Sequence, residues 1–80
     1  MTTASKIISN LNSPTDADKR LIEKAYEYSE KAHEGHKRYS GEPYMMHVAE
    51  VAYMLAQMGM GPRTIAAGLL HDTIEDTEVT

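Results

Sequence analysis

Apolar residues return every three to four positions along most of this chain, and polar punctuation cuts that rhythm into four stretches. Over residues 1–12 the rhythm is faint: Ile7, Ile8 and Leu11 stand among polar neighbours and predict a weak N-terminal helix or a tail. Ser13-Pro14-Thr15-Asp16 then reads as a helix start, with a capping hydroxyl, a proline and an acid in the first turn. Leu21, Ile22, Ala25, Tyr26, Ser29, Ala32 and His33 follow at helical spacing and form the expected inner face. Glu23, Lys24, Glu27, Glu30 and Glu34 fall largely on the other side, and Gly35 is the natural stop.

Residues 36–43 are polar, and Gly41 and Pro43 exclude a continuous helix through them. Pro43 suits the first position of the next helix, whose expected inner face is His47, Val48, Val51, Met54, Leu55 and Met58. Gly59-Met60-Gly61 breaks it, and Pro62 opens a further helix in which Ile65, Ala66, Leu69 and Leu70 turn inward and lead directly into His71-Asp72. Period-2 alternation, hairpin dipeptides, internal repeats and low-complexity stretches are all missing from the chain. The pattern therefore predicts an all-α fold of about three to five helices with short connections and antiparallel neighbours.

Size and charge narrow this picture. Eighty residues make at most one small domain of marginal stability. Without cysteine there are no disulfides and no thiolate zinc sites. No apolar run approaches the ~18 residues of a membrane span, and no basic, hydrophobic leader begins the chain, so a soluble cytoplasmic protein is expected. A net charge of −4 argues against DNA and against broad nucleic-acid binding; Lys37-Arg38 is a local basic pair suited to a few phosphates. Six methionines and the lack of Phe and Trp imply an adaptable core in which Met packs rather than ligates. The chain stops at Glu78-Val79-Thr80 with no cap, charged tail or Gly-rich exit, so residues 1–80 are expected to be the N-terminal part of a single larger domain, with 13–80 carrying its motif-bearing helices.

The chemistry concentrates in His71-Asp72-Thr73-Ile74-Glu75-Asp76 and in His47 upstream. If the segment is helical, Glu75 lies one turn beyond His71 and Asp76 one turn beyond Asp72, so all four project from one side. Imidazole and carboxylate side by side suit a divalent metal with an acid/base group next to it. A His-Asp dipeptide alone is weak, since four His and four Asp produce one by chance in roughly a fifth of such chains. Its bland counterpart is a helix end decorated with solvated acids. Against that, the macrodipole disfavours Glu75 and Asp76 at a helix C-terminus unless a cation offsets them. His47 shares a face with Val51 and Met54, and the apolar run turns His71 inward as well, so the two imidazoles can converge on one ion. The main competitor for His47 is a core histidine bonded to a carbonyl. His33 reads as structural or as a partner to a ligand, and His36 as exposed. Arg38 is either a solvated loop charge or a planar guanidinium for a base or phosphate.

The run from Ala32-His33-Glu34-Gly35 through Arg38, Ser40-Gly41-Glu42-Pro43-Tyr44 to His47 resembles the pattern A-H-x-G-x-x-R-x-S-G-x-P-Y-x-x-H. With Thr64 to Thr77, in that order and at that spacing, it resembles the hydrolase domain of the RelA/SpoT family, a branch of the HD-domain metal phosphohydrolases, from about residue 20 onward. The resemblance implies a helical domain holding one divalent ion, usually Mn2+. His47, His71 and Asp72 match three of its ligands, and the family's fourth, an aspartate on a later helix, would lie past Thr80. Glu75 and Asp76 match the acidic pair that activates the attacking water. Arg38 matches the arginine packed on the guanine base and Ser40 a nucleotide-contacting serine, with Lys37 beside them at the entrance. Tyr39 stands where relatives often carry a base, and His36 where many carry glutamine.

The implied reaction removes the 3′-pyrophosphate from guanosine tetra- or pentaphosphate, the alarmone (p)ppGpp of the stringent response, either in a hydrolase alone or at the front of a bifunctional synthetase/hydrolase. These 80 residues by themselves are expected to be inactive. Two alternatives stand beside this reading. One is an HD-domain phosphohydrolase of another nucleotide. The other is a non-catalytic regulatory helical domain, whose exposed apolar faces would favour self-association.

Overall fold

The computed structural model describes residues 2–37 and 41–76, the last six of them, 71–76, as helical backbone only. Four helices run in chain order: α1 Ala4–Ile8, α2 Asp16–Ala32, α3 Tyr44–Gln57 and α4 Pro62–Asp76. Among the described residues the one extended pairing is an isolated antiparallel bridge between Lys37 and Pro43, so the all-α expectation is met.

Local chemistry explains where each helix begins. The cap of α2 is Thr15 rather than Ser13: the Thr15 hydroxyl accepts from the Asp18 amide, and the Asp18 carboxylate accepts from the Thr15 amide, both at 3.0 Å. That reciprocal pair satisfies two otherwise unbonded helix-end donors. Ser13 lies outside the helix with a positive φ of 50°. Pro43 is likewise the residue before α3 and not its first turn. Pro62 does open α4, where the Gly61 carbonyl accepts from the Ile65 amide.

The ends are equally legible. At the end of α3 the Met60 amide donates to the Leu55 carbonyl and the Gly59 amide to that of Ala56, both at 3.1 Å. This pair of bonds requires the left-handed φ of 82° that Gly59 adopts. Gly35, at φ 80°, turns the chain after α2 in the same hand.

The core gathers Ile7 from α1, Ile22, Ala25 and Tyr26 from α2, Met45, Val48, Ala49, Ala52 and Ala56 from α3, and Ile65, Ala66 and Leu69 from α4. α2 and α3 both pack on α4, and α1 lies across α2 and α3. Three expected inner positions are corrected here. Leu21 is exposed and lines a groove with Lys24, Ala25, Tyr28 and Leu70. Met54 and Met58 are also exposed, because α3 turns its alanines inward instead. Small side chains let α3 and α4 approach closely: a Cβ on Gly68 of α4 would stand 3.2 Å from Leu55 Cδ1.

Candidate metal and nucleotide site

The connection between α3 and α4 is short, so the two helices run antiparallel as neighbours. Their close contact at Leu55 and Gly68 fixes the pairing. His47 on α3 and the His71-Asp72 step on α4 both lie on the side of that contact away from the Met58–Gly61 turn. His47 is half-buried in the first turns of α3, between the buried Met45 and Val48.

The remaining candidate ligands and acids sit on the last two turns of α4. Its helix runs unbroken through His71, Asp72, Glu75 and Asp76, as the one-sided layout requires. The side chains of these four residues lie outside the described residues, as do Arg38 and Ser40. Among the described residues no three His, Cys, Asp or Glu side chains converge on a common point. The donor set nevertheless fits a divalent cation: imidazole nitrogens and a carboxylate suit manganese or zinc, and half-burial of His47 keeps one imidazole from full hydration.

The loop between α2 and α3 is closed at its base. The Tyr44 amide donates to the His36 carbonyl at 2.9 Å, and the His36 amide to that of His33 at 2.9 Å. Lys37 begins this loop and is exposed, as a phosphate-seeking ammonium must be. His36 is exposed, as expected.

His33 is 2% exposed and its ring stacks on that of Tyr44, with centroids 4.8 Å apart and planes 20° from parallel. Tyr44 in turn meets His47 edge to face at 6.0 Å and 78°. His33 thus reaches the candidate ligand through a tyrosine that the pattern of apolar positions did not single out. The signal that identifies Tyr44 is its place one helical turn before His47, on the same face of α3.

Among the described residues, an apolar groove of about 410 Å³ between α2 and α4 is lined by Leu21, Lys24, Ala25, Tyr28 and Leu70. No described helix is long and apolar enough to cross a membrane.

Comparison with known proteins adds the following. A family profile described as HD domain matches residues 25–80. A GTP pyrophosphokinase of Streptomyces coelicolor is 56% identical over 59 residues, covering 74% of this chain and 7% of that protein. Guanosine-3′,5′-bis(diphosphate) 3′-pyrophosphohydrolases of Aquifex aeolicus and Spiroplasma citri are 51% identical over 59 residues and 49% over 65, covering 74% and 81% of this chain. The chain spans only 8% and 9% of the length of these two.

Proposed function

Because the chain belongs to the HD-domain family, in its RelA/SpoT branch, we propose that it forms part of a metal-dependent hydrolase that removes the 3′-pyrophosphate from guanosine tetra- or pentaphosphate. His47, His71 and Asp72 hold the divalent ion, which we take to be Mn2+. When bound, that ion supplies positive charge that polarises the phosphoryl group and acidifies water. Glu75 and Asp76 orient the attacking water and accept its proton, the task of a carboxylate placed within hydrogen-bond reach. Arg38 stacks its planar guanidinium on the guanine base. Ser40 and Lys37 bind the nucleotide beside it, and the basic pair Lys37-Arg38 draws a polyanion to a chain of net charge −4. The protein is read as cytoplasmic, where such a nucleotide is met.

The observation that carries this reading is the α3–α4 pair. It sets a half-buried His47 alongside the helix that continues through His71, Asp72, Glu75 and Asp76. Support also comes from relatives named as 3′-pyrophosphohydrolases at about half identity over the same segment.

The test is manganese-dependent release of pyrophosphate from guanosine tetraphosphate by the longest natural chain containing these residues. His71→Ala and Asp72→Ala are each expected to abolish turnover, since loss of a ligand removes the ion or misplaces it. Undiminished turnover in Asp72→Ala contradicts the assignment. Metal binding without activity would instead point to another nucleotide substrate. Neither metal nor activity would leave a regulatory helical domain.

A further inference from the structure

The rings of His33, Tyr44 and His47 form a contact chain from the end of α2 into the first turn of α3, stacked at its first step and edge to face at its second. Tyr44, itself half-buried, is held at three points. The buried ring of His33 lies parallel to it at 4.8 Å. Its backbone amide is bonded to the His36 carbonyl, so it cannot slide along the loop. Helix α3 then fixes its separation from His47, one turn on. Its ring meets that of His47 edge to face at 6.0 Å, within the range in which aromatic rings attract and restrict one another.

A histidine on an isolated helix surface samples several orientations, and immobilising it on a cation costs affinity. Groups around a metal site reduce that cost by fixing ligand orientation in advance. A ring held rigidly against one edge of His47 does this without touching the cation.

We infer that Tyr44 is a positioning residue for His47: braced by His33, its ring restricts the imidazole and thereby raises the affinity of the site for a divalent cation. This rests on the reading of His47 as a ligand. Separately, the Tyr44 backbone amide closes the loop that begins at Lys37 by donating to the His36 carbonyl.

Manganese binding in the absence of nucleotide tests this directly. The longest natural chain carrying these residues is titrated with Mn2+, and the free ion is followed by electron paramagnetic resonance. Tyr44→Leu is expected to weaken binding by about tenfold or more, the usual size of effects from groups around a site. Tyr44→Phe keeps the stacked ring and is expected to stay within about twofold of the unaltered protein, as an effect of the ring alone requires. Far-UV circular dichroism confirms equal helix content. Should Tyr44→Leu fail to fold, Tyr44→Met, of similar length and without a ring, takes its place with the same expectation. Unchanged affinity in the ringless variant, with binding lost in His47→Ala, overturns the positioning role and leaves the metal reading standing. Equal loss in Tyr44→Phe also overturns it, because the hydroxyl and not the ring would then matter. Absence of manganese binding in the unaltered chain removes the metal reading, and the positioning role with it.

Discussion

Tyr26 buries its ring in the core and donates its hydroxyl to the Thr2 carbonyl oxygen at 2.9 Å. That bond fastens the N-terminal segment to α2. Burial, and after it the negative charge of Glu30, push the Tyr26 phenol above its ordinary pKa of 10.0. The folded state thus holds this proton more tightly than the unfolded chain, so the contribution to stability is complete below pH 10.0 and declines as pH rises beyond it. Tyr26→Phe is expected to cost about 0.5–1.5 kcal/mol at neutral pH, the net worth of one such hydrogen bond. It should also flatten the alkaline decline. Urea unfolding at neutral and alkaline pH measures both, and coincident curves for the two proteins would contradict the account. At this scale the sequence is informative about type more than about partner. That His33 faces inward follows from helical spacing, whereas its stacking on Tyr44 depends on how the intervening loop folds back, which no local pattern encodes.

Among the elements, α3 departs furthest from expectation. Its large side chains at 47, 48, 51, 54, 55 and 58 suggest one inner face, yet the buried face is Met45, Val48, Ala49, Ala52 and Ala56. A count of apolar side chains favours the bulkiest positions. Close packing in the core also admits the smallest, and the helix pair is tight where a Cβ on Gly68 of α4 would stand 3.2 Å from Leu55 Cδ1. Met45→Ala is accordingly expected to cost about 2–5 kcal/mol, as truncation of a buried side chain does. Met54→Gln, at a position 57% exposed, should change stability by no more than about 0.5 kcal/mol. Thermal melts of the two variants decide between the faces; a large loss in Met54→Gln would restore the original one. The helix starts and stops needed less correction. Thr15, Gly35, Gly59 and Pro62 act through bonds to their immediate neighbours, so the sequence alone locates them to within a residue or two.

At the scale of the whole molecule, the five-residue α1 contributes the fully buried Ile7 and sits across both α2 and α3. A helix this short has little stability of its own, so it persists by burying that side chain. Ile7→Ala is expected to lose about 2–5 kcal/mol, a large share of the total for a chain of this size, and denaturant unfolding followed by circular dichroism would measure it. A loss under about 0.5 kcal/mol would show that the N-terminal segment is no part of the core. The sequence by itself determined the helical class, the four stretches, their punctuation and the motif order that points to an HD domain, because periodicity, caps and motif spacing are properties of adjacent residues. Tertiary structure alone decided that α3 buries its alanines, that Leu21 and Met54 remain at the surface, and that the ring of His33 stacks on Tyr44 beside His47. Those outcomes depend on side-chain volume and ring geometry between segments distant along the chain, where the closest packing, not the strongest local pattern, sets the arrangement.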